Sequence, residues 1–355
     1  MPHAPTMHTA RLTELCIPKQ WKPLPQTKMT ADGYPVYGAN GLKGYYNEYN
    51  HEQPVIAIAS RGCGCGAVYL TPPKSYVTAN ALCLEALSPR ILPEYLYYYL
   101  KNYDFSPIIT GAALPQITTQ GLRDVSVRFG PPEQQQRIVH TLQQCDKLLS
   151  KHNERLQQLQ LLKAAHYTHL QAQYHSHPDF CYVPLSSVAG IECGKRDAGE
   201  ATADGPYPFF TCAKHPQRIN CYDFDCECVL ISGNIDFKVQ YFCGKFSAYQ
   251  RTYILQTQNT RKLSVRFLFS YLNNTPQLLE SLCIGTSIKY LKKKDLQQIP
   301  IWLPPIDIQN SIADCMQHTD AAICQAQRAM EQTKLLMRKL MQDFWGTELR
   351  LEPIK

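Results

Sequence analysis

The residues that could do chemistry or bind charge fall into three groups. Lys289, Lys292, Lys293 and Lys294 form a basic run just beyond Gly285. Protonated lysines neutralise phosphates, so such a run suits a polyanion, although a solvated turn can carry one too. Ser60-Arg61-Gly62-Cys63-Gly64-Cys65-Gly66 is a glycine-rich loop. It is read either as an amide cradle for a phosphate or as a plain turn. Cys63-x-Cys65 and Cys221-x4-Cys226-x-Cys228 lack the paired C-x-x-C spacing of a zinc ribbon. No cysteine has a context that marks it as a nucleophile.

Two kinds of catalytic machinery are missing. The double prolines read TPPK, GPPE and LPPI. None is the Asn/Asp-Pro-Pro-aromatic loop with which an adenine methyltransferase holds a flipped base. No GxxxxGK[ST] phosphate loop occurs either, which argues against ATP-driven work by this chain. Lys43, Arg61, Lys74 and Arg123 are scattered through the first part of the chain. Taken singly, each is more simply read as a solvated charge.

Two long helices must position whatever the other segments present. From Pro131 onward, Ile138, Leu142, Cys145, Leu149, His152, Leu156, Leu159, Lys163, His166 and Leu170 alternate in steps of four and three, a heptad pattern. The same steps recur 174 residues later at Ile312, Met316, Thr319, Ile323, Ala326, Met330, Thr333, Met337, Leu340 and Phe344. Both series open after a double proline, Pro131-Pro132 and Pro304-Pro305, and proline suits the first turn of a helix. Each helix is roughly 40 residues, so about 60 Å long. Ala322, Ala326 and Ala329 would let a partner helix approach closely. The two helices can satisfy each other's seam.

The segments between them also repeat. Thr30-Ala31-Asp32-Gly33 returns as Thr202-Ala203-Asp204-Gly205, and Tyr34-Pro35 as Tyr207-Pro208. The apolar strand 55–59 is matched by 228–232, the Tyr-rich helix 93–100 by 265–272, and the loop at Gly111 by the loop at Gly285. The offset stays within 172 to 174 residues, which indicates an internal duplication. The spacing in 93–100 reads as core rather than as a platform for stacking bases. The expected limits are a mixed domain at 1–130, a helix at 131–173, a second domain at 174–303, a helix at 304–346 and a tail at 347–355.

Composition bounds the rest. The 355 residues are 44% hydrophobic and carry a formal net charge of +7, which permits a polyanionic partner. No apolar run is long enough to cross a membrane, and the N-terminus has no signal-peptide core. The fifteen cysteines are read as reduced thiols in a cytosol.

A mixed domain, then a Pro-Pro-x-Glu-Gln-like entry into a long helix, placed twice, resembles the specificity (S) subunit of type I restriction-modification systems. The resemblance is carried by Tyr34-Pro35-Val36-Tyr37-Gly38-Ala39-Asn40-Gly41, Ser60-Arg61-Gly62, Leu114-Pro115-Gln116-Ile117 and the run from Pro131 to Ile138. The run from Pro304 to Ile312 reads as a weaker version without the acidic-Gln pair. The resemblance implies an α+β protein: two target recognition domains separated by two long antiparallel coiled-coil spacer helices that act as a ruler. It implies a bipartite double-stranded DNA target, two docked methyltransferase (modification) subunits and, through them, restriction or translocase subunits. It implies no catalysis and no cofactor in this chain, with S-adenosylmethionine, ATP and Mg belonging to the partners, and a cytoplasmic setting. DNA contact is then expected from Lys43, Arg61, Lys74, Gln116, Arg123, Lys289, Lys292, Lys293 and Lys294. Spacer packing is expected from Ile138, Leu142, Leu149, Leu156, Leu159, Ile312, Met316, Ile323, Met330 and Leu340. The competing reading is a duplicated scaffold that binds proteins rather than DNA.

Overall fold

The computed structural model describes residues 7–111, 113–175, 181–234, 237–285 and 289–346. Two compact units emerge: residues 1–153 with 329–355, and residues 154–328. The expected tail at 347–355 lies outside the described residues.

The first unit begins with β1 (His8–Arg11), α1 (Leu12–Leu15) and β2 (Ile17–Gln20), then β3 (Tyr34–Gly38) and β4 (Gly41–Tyr46). It continues with β5 (Ile56–Ala59), β6 (Val68–Leu70), β7 (Tyr76–Val77), β8 (Ala81–Glu85), α2 (Pro93–Lys101) and β9 (Ser126–Phe129). One sheet has the order β2-β8-β5-β6 and a smaller one β4-β3-β7, while β1 pairs with β9. Alternation along β5 and β8 sorts their side chains. Ile56, Ile58, Leu82 and Leu84 enter the main core with α2. Ala57, Ala81 and Cys83 form a second, smaller cluster with Val55 and Val77 on the other face.

The tyrosines of α2 are core residues with anchored hydroxyls. Tyr95 and Tyr99 donate to the carbonyls of Arg128 (2.8 Å) and Ser126 (3.1 Å) on β9. Tyr98 donates to Asp146 of the long helix α3 (Pro132–His175).

The second unit holds β10 (Tyr182–Pro184), β11 (Ala189–Cys193), β12 (Tyr207–Phe210), β13 (Gln217–Ile219) and β14 (Phe224–Ser232). There follow β15 (Val239–Ala248), β16 (Thr252–Thr257), α4 (Val265–Asn274), α5 (Pro276–Ser281), α6 (Lys293–Gln297), β17 (Pro300–Trp302) and the long helix α7 (Ile306–Trp345). A single six-stranded sheet runs β11-β16-β14-β15-β12-β13. This is the first unit's pattern with its two sheets joined. The long β15 takes the places of both β6 and β7, and β12 pairs with it in parallel as β3 does with β7. In the first unit Thr71-Pro72-Pro73 interrupts that strand. Proline has no N–H to give to a ladder, so the sheet divides there. The closing pair repeats as well: His8 faces Phe129, and Tyr182 faces Trp302.

Each long helix is fastened to its domain by one fully buried glutamine. Gln135 accepts from the Leu92 amide (2.8 Å) and donates to the carbonyls of Arg90 (2.8 Å) and Gly130 (2.9 Å). Gln309 accepts from the Ser264 amide (2.9 Å) and donates to the carbonyls of Lys262 (2.7 Å) and Pro304 (2.8 Å). The second proline motif is therefore not the weaker copy that its residue types suggest. It lacks a residue like Gln134 but keeps the glutamine that makes the clamp.

Along α3, Ile138, Leu142 and Cys145 are buried, and Leu149, Leu156 and Leu159 are half-buried. Between Lys147 and His166 the only residues that are not exposed are Leu149, His152, Leu156, Leu159, Lys163 and His166. On α7, Ile312, Met316, Ala326, Thr333 and Met337 are buried, with Ile323, Met330 and Leu340 half-buried. Within the second unit, Lys163 pairs with Asp320 at 2.6 Å and the His166 ring meets the Cys315 sulfur at 3.3 Å. The partner number falls as the α3 number rises, so these segments run antiparallel.

Candidate nucleic-acid interface

In the first unit the β5–β6 loop meets the segment that follows Gly111. The Gly62 amide donates to the Pro115 carbonyl, and the Ile117 amide to that of Ser60, both at 3.0 Å. These bonds flank Arg61 and Gln116 and make them an antiparallel pair of the close, non-hydrogen-bonded kind. Side chains of such a pair stand together on one face. On its other side Gln116 exchanges both backbone bonds with Thr110, at 2.9 and 2.8 Å. Gly111 turns the chain between them at φ 87°, where a side chain would meet the Leu114 carbonyl.

The second unit builds the same device. Ile284 and Tyr290 exchange backbone bonds at 3.1 and 3.0 Å across Gly285, whose φ is 108°. The Leu291 amide donates to the Gly233 carbonyl at 2.8 Å, and Asn234 pairs with Tyr290. Thr110, Gln116 and Arg61 therefore correspond to Ile284, Tyr290 and Asn234. The Cys212 thiol donates to the Asn234 side-chain oxygen.

The glycine loop at 60–66 is a hairpin connection that spends several of its amides on the protein's own carbonyls. The amides of Gly62, Cys65, Gly66 and Ala67 are bonded to the carbonyls of Pro115, Gly62, Ala59 and Gly64.

The expected DNA contacts divide accordingly. Arg61 and Gln116 are brought together, and Arg61 is exposed. Lys43 lies exposed on β4, whose turn abuts the same loop: Ala39 accepts from the Tyr69 hydroxyl and faces Gly64. Lys74 stands at the opposite end of the β5–β6 hairpin, where its amide bonds Glu52 and its φ is 55°. Arg123 sits exposed in a 3-10 turn against α1. Neither belongs to the loop cluster.

In the second unit Lys289 and Lys292 to Lys294 are all exposed. Lys292 and Lys293 line a cleft of about 470 Å³ with Gly233, Arg251, Tyr253 and Tyr290. Lys238 donates to the Lys214 carbonyl at 2.7 Å. Burial, and then the neighbouring Lys214 charge, hold its ammonium below the usual lysine range. The first unit carries Thr118, Thr119 and Gln120 where the second has Lys292, Lys293 and Lys294.

Arg251, Asn234, Ile284 and Tyr290 escaped the reading of the sequence. Adding 174 to Gln116 and Thr110 would have pointed to Tyr290 and Ile284. No comparable signal marks Arg251, which enters the cleft through a turn. Among the described residues, no group of three or more His, Cys, Asp or Glu could hold a metal ion. No helix among them is long and apolar enough to cross a membrane.

Comparison with known proteins places this geometry. The specificity subunit of the Escherichia coli type I restriction enzyme EcoDI is 32% identical over 164 residues, which are 46% of this chain and 36% of that protein. A putative type I specificity subunit of Haemophilus influenzae, S.HindORF215P, is 23% identical over 83% of this chain and 82% of its own length. The fold matches the crystal structure of a type I restriction-modification S subunit from M. genitalium with a TM-score of 0.74, at 15% identity, over 99% of this chain and 98% of that one. A chain from a study of assembly and conformational transition in the type I R-M system matches with a TM-score of 0.55, at 16% identity, over 99% of this chain and all of that one. The profile of the type I restriction modification DNA specificity domain matches residues 6–161 and again 179–331. The chain, with a copy of that domain in each half, belongs to this family of DNA specificity domains.

Proposed function

We propose that the chain is the sequence-reading subunit of a type I restriction-modification complex, that each unit reads one half of a bipartite duplex target, and that the chemistry resides in partner subunits. The observation that carries this is the loop cluster built twice on one backbone plan, with Arg61 and Thr110 exposed and Gln116 half-buried in the first unit, Ile284 and Tyr290 exposed and Asn234 half-buried in the second, and a basic surround in the second. Lysines there supply affinity through counterion release, with a salt slope of about 0.9 per phosphate contacted. Arginine and amide side chains supply discrimination at base edges. The chain binds no cofactor of its own. S-adenosylmethionine serves the two modification subunits docked to it, and ATP and Mg serve restriction subunits recruited through them, in the cytoplasm. The alternative of a protein-binding scaffold gains nothing from the exposed lysines around the cleft.

Purified alone, the chain is expected neither to methylate nor to cleave DNA. Combined with its modification subunits and S-adenosylmethionine, it should direct adenine methylation to one bipartite motif. Methylation by the isolated chain, or methylation by the complex without sequence preference, would overturn the proposal.

A further inference from the structure

We propose that the rows Thr110–Gln116–Arg61 and Ile284–Tyr290–Asn234 are the base-reading elements of the two domains. The first row reads by hydrogen bonds, and the second by apolar contact plus one amide. This rests on the DNA-specificity reading above and carries it to individual residues.

The first support is that one backbone device recurs with different side chains. Both rows have a hydrogen-bonded pair across a left-handed glycine, then a close pair to the hairpin loop. All three presented residues differ between the copies. A shared frame with exchanged side chains is what two readers of unlike half-sites require. The second support is geometric. Directly paired residues stand about 4.5 to 5.5 Å apart and project from one face. A three-residue row therefore spans about 10 Å, close to the roughly 12 Å width of the major groove. The third is exposure. Ile284 and Tyr290 are 40% and 39% exposed, beside Lys289, Lys292, Lys293 and Arg251. Apolar groups held in water inside a basic rim suit a surface that meets bases while the rim meets phosphates.

The residue types set what each row recognises. Arg61 can fork onto O6 and N7 of guanine, and Gln116 can pair with N6 and N7 of adenine. Ile284 and Tyr290 offer apolar surface to the thymine methyl. Asn234 offers an amide to adenine, its orientation set by the Cys212 thiol. Lys292 to Lys294 act on phosphates and read nothing.

The test uses the assembled methyltransferase complex on a library of randomised duplexes, scoring which sequences become methylated. A wild-type complex with no preferred motif would overturn the specificity reading itself. Given a motif, Arg61→Ala or Gln116→Ala should lower discrimination roughly 5- to 150-fold at one or two positions of one half-site. Ile284→Ala or Tyr290→Ala should relax positions in the other half-site. Arg61→Lys keeps the charge but loses the fork, and should relax the same position as Arg61→Ala. Tyr290→Phe keeps the ring and should preserve the motif. The triple variant K292A/K293A/K294A should weaken methylation on all sequences and lower the salt slope by up to about three contacts, with the motif intact. Unchanged discrimination in both Arg61→Ala and Tyr290→Ala, or loss in both half-sites from either, would overturn the row assignment while leaving the specificity reading standing.

Discussion

Arg196 shows how one side chain sets up a site it does not enter. Its guanidinium forks onto Asp223 at 2.8 and 2.7 Å and reaches Glu200 at 3.1 Å. Its amide donates to the Ala248 carbonyl (3.1 Å), and its carbonyl accepts from Gln250 (3.0 Å). The turn that carries Arg251 into the cleft is thus held by Arg196. The Arg196 hydrogen bonds keep the Asp223 carboxyl below the usual carboxylate range, and the Ser247 hydroxyl (2.9 Å) adds to this. A carboxylate whose folded-state pKa is depressed contributes stability above its unfolded pKa and loses it as pH falls through the folded value. Wild-type protein should therefore lose more denaturant resistance between pH 6 and pH 3 than Asp223→Asn does, those limits bracketing the ordinary aspartate pKa of about 3.9. Denaturation midpoints across that range would check it, and parallel curves for the two proteins would refute it. Salt should blunt the difference, because the Arg196 side chain is partly exposed.

At the level of elements, the glutamine clamps decide how each domain meets its helix. Gln135 is fully buried, and removing its amide would orphan the Leu92 amide and two carbonyls. A buried polar group left without a partner costs roughly 1 to 3 kcal/mol, and shorter side chains also leave a void. Gln135→Ala and Gln309→Ala should each destabilise the protein by about 2 to 4 kcal/mol, while Gln136→Ala, exposed on the same turn, should cost under about 0.5 kcal/mol. Chemical denaturation of the three variants measures this directly. The helices themselves were legible in advance. A heptad pattern depends only on spacing, so Leu149, Leu156 and Leu159 declare a seam without any knowledge of what covers it. The Tyr-rich helix was legible for the same reason. The joined sheet of the second unit was not, since it depends on β15 running ten residues through positions where the first copy has two prolines. Nor was the row at Gln116. Backbone bridges between segments far apart in sequence create it, and neither segment has a periodic pattern of its own. The Gln309 clamp was hidden by its neighbours, because Ile306 and Ile308 disguise a glutamine that the 174-residue offset locates.

Taken whole, the chain is one plan executed twice, and this determines where it can be cut and rejoined. A domain exchange confined to 31–128 would sever the first unit badly. It would leave β1 and β2 behind, set β2 against a foreign β8, and replace most of the β9 strand that pairs with β1. An exchange of residues 7–130 carries β1 and β9 together, so the closing pair stays intact. It also respects the clamp. In the incoming segment Gln135 needs only a backbone amide and backbone carbonyls, which any member of the fold supplies. The remaining demands fall on side chains: the Tyr95 hydroxyl accepts from Trp345, the Tyr98 hydroxyl donates to Asp146, and the Tyr99 ring packs on Trp345, so a donor domain with tyrosines at 95 and 98 and an aromatic residue at 99 should dock best. A chimera with a 7–130 exchange should keep its denaturation midpoints close to those of the wild-type chain and, assembled with modification subunits, methylate a motif altered in one half alone. The 31–128 chimera should be less stable by several kcal/mol, from the lost strand pairing and repacked core. Alteration of both halves of the motif by the 7–130 exchange would show that the two copies do not read independently.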